Sequence, residues 1–316
     1  MKILFCGETF PAAPRLLEQF LPVSGIDEIA VSPSAALPTA LDGVDVVVPL
    51  MSRVDAALMD AGRFRLVQQW GAGLDGVDLD AARSRGIWVA NVPASGGNAD
   101  SVAEHTILLI LATLRQLTSA QANLRRGVLG APLGTMLAGR TVTLFGLGAI
   151  ARALVRRLRA FGVHLVGITR DPAAPKVREL ALDAAYSLQD RDTALAQTDI
   201  LVLCLPLSEE TRGVIGDDAF AALPPGAFLV NPARGALVDY DALYTTLTQG
   251  RLGGVGLDVY WQEPIAPDDP LLAFPNVIAT PHIAGITDRS YDEIAKVVVE
   301  NIERLRRGQP PLHRAI

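Results

Sequence analysis

Only four histidines occur in the chain, and only one follows directly on the end of a strand-like run. His282 lies in Ala279-Thr-Pro-His-Ile-Ala-Gly285, where the ligand-binding loops of an α/β sheet collect. His105 sits in an apolar helix, His164 begins a strand and His313 lies near the C-terminus, positions that suit structural or solvated imidazoles. Two further segments share the placement of His282. Asn231-Pro-Ala-Arg-Gly-Ala236 puts Arg234 after one strand, and Gly256-Leu-Asp-Val-Tyr-Trp-Gln-Glu-Pro264 puts Asp258 and Glu263 after another. Taken singly, Arg234 or Glu263 could be a surface charge or a loop brace. Together, a guanidinium can hold a carboxylate and polarise a carbonyl, an imidazole can protonate a developing alkoxide, and a carboxylate can keep that imidazole protonated. That is the set needed to reduce a 2-keto acid, given a hydride donor.

A hydride donor has a place in the sequence. Thr141-Val-Thr-Leu-Phe145 runs into Gly146-Leu-Gly-Ala-Ile-Ala151 and then into an amphipathic helix, a G-x-G-x-x-A turn between strand and helix. Gly146 permits the tight turn, Gly148 lets backbone amides approach a pyrophosphate, and Ala151 allows the helix to pack on the strand. The helix N-terminus then faces the phosphate charge. After the next strand, an enzyme using NAD usually carries Asp or Glu to read the ribose hydroxyls. Here Thr169 and Arg170 occupy that place, with Asp171 one residue late and followed by Pro172. A neutral side chain beside a guanidinium favours a 2′-phosphate, so NADP is expected in preference to NAD; a surface Arg beside a permissive NAD site is the alternative.

The elements that must hold these residues are short apolar runs alternating with helical patterns. Strands are expected at Lys2–Cys6, Glu28–Val31, Asp45–Leu50, Leu66–Trp70 and Ile87–Asn91, then at Thr141–Phe145, His164–Ile168, Ile200–Leu205, Ala227–Asn231, Gly254–Val259 and Val277–Ala279. Helices are expected at Ala149–Phe161, Tyr240–Gln249 and Arg289–Arg307, among others. Runs of apolar residues without clean alternation indicate strands covered on both faces, and strand–helix alternation indicates parallel sheets. The segment Asn98–Gly127 divides the two sets of strands. Asn98 or Ser101 could cap its start, with Glu104 in capping-box spacing, and its dense apolar content suits a buried helix.

Bulk properties fit this picture. With 316 residues, half of them hydrophobic and 20% charged, the chain can fill two cores. The formal net charge is −6 without a charged tail or a concentrated basic face, which argues against a nucleic-acid partner. All but three of the 28 basic residues are Arg, a bias read as compositional. Cys6 and Cys204 sit in apolar runs and suit buried free thiols in a reducing compartment. The N-terminus lacks a leader pattern, and the longest apolar stretch, 107–112, is too short to span a bilayer; a cytoplasmic protein without a membrane or metal site is expected.

The set of motifs resembles the D-isomer-specific 2-hydroxyacid dehydrogenase family, along nearly the whole chain. Besides the segments above, it includes Gly71-Ala-Gly-Leu-Asp75, Val77-Asp78 and Ser101-Val-Ala-Glu-His105. The resemblance implies catalytic roles for Arg234 as ligand of substrate carboxylate and carbonyl, His282 as acid/base, and Glu263 as its partner. It implies that Asp258 holds the nicotinamide carboxamide, that Ala149 and Ile150 supply pyrophosphate amides, and that Leu205, Pro206, Pro232, Ala233 and Gly285 border the cofactor. Ala72 and Gly73 would offer amides to the substrate carboxylate. The implied architecture is α/β with two Rossmann-like domains and a cleft between them: a flavodoxin-like substrate domain (1–97 with 286–316) and a doubly wound NAD(P)-binding domain (98–285). A homodimer built partly by the 98–127 segment and hinge closure during hydride transfer are also implied.

Several departures narrow the family reading. Thr169 replaces the usual acidic residue, and Val128 stands where many members carry Trp. Glu263 argues against the formate dehydrogenase branch, and the absence of Lys in Gln69–Leu74 against phosphite dehydrogenases. At 316 residues the regulatory domain of long phosphoglycerate dehydrogenases is not expected. The expected activity is D-specific reduction of a small 2-keto acid, as in glyoxylate or hydroxypyruvate reductases, with a nucleotide-sensing, corepressor-like scaffold or a dehydrogenase of the same family with a different acid substrate as the alternatives.

Overall fold

The computed structural model describes residues 1–7, 9–21, 27–94 and 97–316. The chain divides into two compact units, Met1–Asn98 with Ile286–Ile316, and Ala99–Gly285.

In the first unit, β1 (Lys2–Cys6), β2 (Glu28–Ser32), β3 (Val44–Val48), β4 (Leu66–Gln68) and β5 (Trp88–Ala90) form a parallel sheet in the order β2-β1-β3-β4-β5. Successive side chains point to opposite faces, and here both faces are covered. Ile3, Phe5, Val46 and Val48 pack with Ile294, Val298 and Ile302 of the helix Asp288–Arg306. Leu4, Cys6, Val47 and Val67 pack on the other side with Leu58, Met59 and Ala82. An apolar run without alternation is the consequence in the sequence.

The second unit holds β6 (Thr141–Phe145), β7 (His164–Ile168), β8 (Ala184–Tyr186), β9 (Ile200–Leu203), β10 (Phe228–Asn231), β11 (Gly254–Leu257) and β12 (Val277–Ala279). Their order is β12-β11-β10-β9-β6-β7-β8, all parallel. The chain leaves β6 in one direction through β7 and β8, then returns to continue on the other side through β9. The gap between β6 and β9 is therefore the topological switch point, where α/β sheets place ligands. Alternate strand residues feed two cores: Val142 and Leu144 with Leu154 and Leu158 below, Leu201 and Leu203 with Phe220 and Leu243 above.

Three local expectations are corrected. The strand β8 has no counterpart in the sequence reading, because Ala184-Ala-Tyr186 carries no β-branched residue and owes its pairing to β7. The helix at the junction runs Gly97–Leu114, so Asn98 and Ser101 lie inside it rather than capping it. The junction is also two helices rather than one buried helix. Gln116 adopts φ +48° and a second helix, Leu117–Arg125, buries none of its residues; its sequence, Leu-Thr-Ser-Ala-Gln-Ala-Asn-Leu-Arg, has too few apolar positions to form a covered stripe. Among the described residues, no helix is long and apolar enough to cross a membrane.

Candidate active site

Three neighbouring strands bring the candidate residues to one edge. Asn231 of β10 is in register with Leu257 of β11, which is in register with Ala279 of β12. Asp258 follows this row by one residue, Arg234 and His282 by three. The ladder extends one step further through Asp258 N to Asn231 O at 3.1 Å and Thr280 N to Leu257 O at 2.8 Å.

His282 and Glu263 are in direct contact. His282 Nδ1 lies 2.6 Å from Glu263 Oε2, while Glu263 Oε1 accepts Tyr260 N at 2.9 Å. One carboxylate oxygen is thus fixed by backbone and the other orients the ring. His282 adopts φ +55°, an uncommon conformation for a residue other than glycine. The loop that holds it there is tied to Asp258. Asp258 Oδ1 accepts Ile283 N at 2.9 Å and the Thr280 hydroxyl at 2.6 Å, and Oδ2 accepts Ala284 N at 2.8 Å. Asp258 is wholly buried. Burial pushes its carboxyl up, but the hydrogen bonds from His105, Thr280, Ala284 and Ile283 outweigh it and hold it below the usual carboxylate range.

Arg234 is set by its own strand loop. Asn231, also wholly buried, donates through Nδ2 to Arg234 O at 2.8 Å and accepts Ala233 N on Oδ1 at 3.0 Å. The Arg234 guanidinium donates from Nη1 to Ala233 O at 2.7 Å and is half-buried. The next residue must be glycine: a Cβ on Gly235 would overlap the Tyr260 carbonyl and stand 2.6 Å from Trp261 N. The Arg234 loop therefore lies against the segment that carries Glu263. Trp261 Nε1 donates to Val238 O at 2.6 Å and closes the same contact.

The glycine turn after β6 fits a dinucleotide. Gly146 has φ +96°, and a Cβ there would lie 2.7 Å from Cys204 O, so the loops after β6 and β9 meet tightly at the switch point. At Gly148 nothing stands within 4 Å of where a Cβ would be. The helix Ala149–Leu158 begins without a side-chain cap, with Gly148 and Ala149 exposed and Ile150 half-buried, leaving the amides of its first residues available to an anion. Leu205 is half-buried and Pro206 exposed along the β9 loop, whereas Pro232 and Ala233 are buried and Gly285 is half-buried. Thr169 follows β7 next to the Gly146 turn and donates its backbone N–H to Tyr186 O at 3.0 Å. Arg170 is exposed and makes no hydrogen bond or ion pair among the described residues. Asp171 turns its carboxylate to Ala173 N at 3.0 Å.

In the first unit, the Ala72–Gly73 loop follows β4. Asn91 Nδ2 donates to Ala72 O at 2.7 Å and Val92 N to Gly71 O at 2.8 Å, so it is fixed from the end of β5.

The sequence reading passed over Asn231, Gly235, Tyr260 and Thr280 as individual residues. The signal for Asn231 and Thr280 was present, since a polar side chain closing an apolar strand needs a local partner. His105, read as structural, does not touch the candidate catalytic groups but joins the Asp258 network, 2.9 Å from Thr280 Oγ1 and 3.5 Å from Asp258 Oδ1.

Fold and site together have counterparts among known proteins. The model of the D-isomer specific 2-hydroxyacid dehydrogenase NAD-binding domain matches residues 107–284. A glyoxylate reductase of Aeropyrum pernix is 32% identical over 98% of this chain and 94% of its own. A D-3-phosphoglycerate dehydrogenase of Archaeoglobus fulgidus is 35% identical over 84% of this chain and 50% of its own; the chain spans about half the length of the phosphoglycerate dehydrogenases it matches. An NADPH-dependent glyoxylate/hydroxypyruvate reductase from Sinorhizobium meliloti, solved with NADP and malonate, superposes with a TM-score of 0.84 at 33% identity, covering 99% of this chain and 96% of its own. The chain belongs to the D-isomer specific 2-hydroxyacid dehydrogenase family.

Proposed function

We propose that the protein reduces a small 2-keto acid to the D-2-hydroxy acid, with NADPH preferred to NADH. The observation that carries this reading is the 2.6 Å contact between His282 and Glu263, set on the strand-end row that also delivers Arg234. The Arg234 guanidinium binds the substrate carboxylate and draws charge onto the carbonyl oxygen. Glu263 holds His282 by Nδ1, so the proton for the nascent alkoxide leaves from Nε2. A reduced nicotinamide, when bound, supplies the hydride. Its pyrophosphate is assigned to Gly146, Gly148, Ala149 and Ile150, with Leu205, Pro206, Pro232, Ala233 and Gly285 bordering it. Thr169 and Arg170 are assigned to the adenosine 2′-phosphate, which the unengaged Arg170 supports. Asp258 is assigned to the nicotinamide carboxamide, and the Ala72 and Gly73 amides are assigned to the substrate carboxylate.

Glyoxylate and hydroxypyruvate are the substrates we favour. The Aeropyrum and Sinorhizobium relatives carry those names, and the second was solved with NADP. Oxidation of NADPH and NADH against a panel of 2-keto acids tests the reading. Consumption of neither cofactor with any acid would remove the substrate class, and a tenfold preference for NADH would remove the 2′-phosphate assignment.

We also propose a homodimer. Leu124, Val128, Leu129, Leu133 and Met136 are all exposed on one stretch of chain, Leu133 at 93% and Leu129 at 84%. Light scattering of the wild type and of Leu133→Asp tests it, with a dimer and a monomer expected. A cytoplasmic location goes with the free thiols of Cys6 and Cys204.

A further inference from the structure

The hydrogen-bond inventory around Thr280 fixes the proton positions of a residue outside the proposed chemistry. Asp258 receives two backbone amides, Ile283 N on Oδ1 and Ala284 N on Oδ2, and so acts as an acceptor. Thr280 Oγ1 stands 2.6 Å from Oδ1, a contact that takes the single hydroxyl proton; the other acceptor in reach, Leu257 O, is 3.4 Å away. With its proton committed, Thr280 Oγ1 can only accept from His105 Nε2 at 2.9 Å. His105 must then carry hydrogen on Nε2, and that hydrogen also faces Asp258 Oδ1 at 3.5 Å. The imidazole is nearly buried, with 11% of its side chain exposed, in the helix Gly97–Leu114. A reversed tautomer would set a lone pair against a hydroxyl whose proton is already given and against a carboxylate.

We propose that His105, as the Nε2–H tautomer, is a positioning residue that fixes Thr280 and Asp258 and thereby the 280–284 loop on which His282 is presented. The proposal rests on the catalytic reading of His282 for its effect on rate, but not for its tautomer. Misplacing a reacting group by a fraction of an ångström to an ångström costs on the order of tenfold to a hundredfold in rate.

The test begins with the whole wild-type chain labelled with 15N-histidine. Long-range 1H–15N correlations at pH 8 report each tautomer, and His105→Gln assigns the His105 signals by their loss. The Nε2–H tautomer is expected; Nδ1–H overturns the proposal. His105→Leu removes the donor, whereas His105→Gln retains an N–H at a similar reach. In the apo chain the His282 imidazole signals should move in H105L and return toward wild type in H105Q. In the reductase assay, kcat should fall about tenfold or more in H105L with KM for the keto acid changed less than about threefold, and recover in H105Q. Wild-type kcat and unmoved His282 signals in H105L overturn the positioning role. Should H105L not fold, H105Q and the wild-type tautomer still decide. A wild type that reduces no keto acid with an Nε2–H His105 sinks the proposed function and leaves the tautomer assignment standing.

Discussion

Gly235 lies so close to Tyr260 that no side chain fits between them, which seats the loop bearing Arg234 on the segment bearing Glu263. Backbone, not a flexible side chain, occupies the other side of that contact. Gly235→Ala should therefore shift one of the two loops instead of being absorbed. We expect a loss of stability of about 1–3 kcal/mol or more and a fall in kcat/KM of at least about a hundredfold. Urea unfolding and a keto-acid assay on the same preparation would measure both, and a fully active alanine variant would refute the contact.

His282→Ala should lower keto-acid reduction by about 10²–10⁴-fold, the usual contribution of a positioned acid, with the dissociation constant of the cofactor within about twofold. Glu263→Gln keeps the shape of the 2.6 Å partner of His282 but not its charge. A smaller loss, about tenfold to a hundredfold, is expected there. Cofactor fluorescence titration separates binding from turnover; equal rates for wild type and H282A would take the imidazole out of the reaction.

Thr169→Asp places a carboxylate where a 2′-phosphate is assigned. The NADPH-to-NADH ratio of kcat/KM should fall by about tenfold or more, since like charges brought together in a site cost a kcal/mol or more. Arg170→Ala should weaken NADPH and leave NADH nearly unchanged. An unaltered ratio in both variants would show that neither residue reads the ribose.

The depressed Asp258 carboxyl makes stability depend on pH in a fixed direction. Its folded value lies below its unfolded one, because hydrogen bonds outweigh burial. The stabilisation is complete above the unfolded value, about pH 4, and is lost as pH falls through the lower folded value. Asp258→Asn should thus be less stable than wild type at pH 7, by about 1.5–3 kcal/mol for hydrogen bonds to a charged group, and the gap should narrow below pH 4. Urea midpoints measured from pH 7 to pH 2.5 would reveal a constant gap if the linkage is wrong.

Burial pushes the thiols of Cys6 and Cys204 up to about 12. Cys6 is buried and Cys204 half-buried, so iodoacetamide at pH 8 should leave Cys6 unmodified in the native chain over an hour, modify Cys204 far more slowly than in urea, and alkylate both in urea, as mass spectrometry would record. Native labelling of Cys6, or labelling of Cys204 as fast as in urea, would contradict the placement.

The amino-acid sequence by itself determined the class of fold, the course of eleven of the strands to within a few residues, and the residue types of the candidate site. These are local properties: two-faced burial writes an apolar run, and a tight strand–helix turn selects Gly146. The pairing of His282 with Glu263 entered through the family resemblance, and its 2.6 Å geometry belongs to the folded chain. What only the tertiary structure decided depends on residues distant in sequence. The strand β8 exists because β7 supplies its partner, and the break at Gln116 follows a backbone conformation that no motif announces. Gly235 is required by Tyr260, twenty-five residues later, and His105 gains its role from Thr280 and Asp258. A residue's type states which hydrogen bonds it can make; the register of β10, β11 and β12 settles which partners are there to make them.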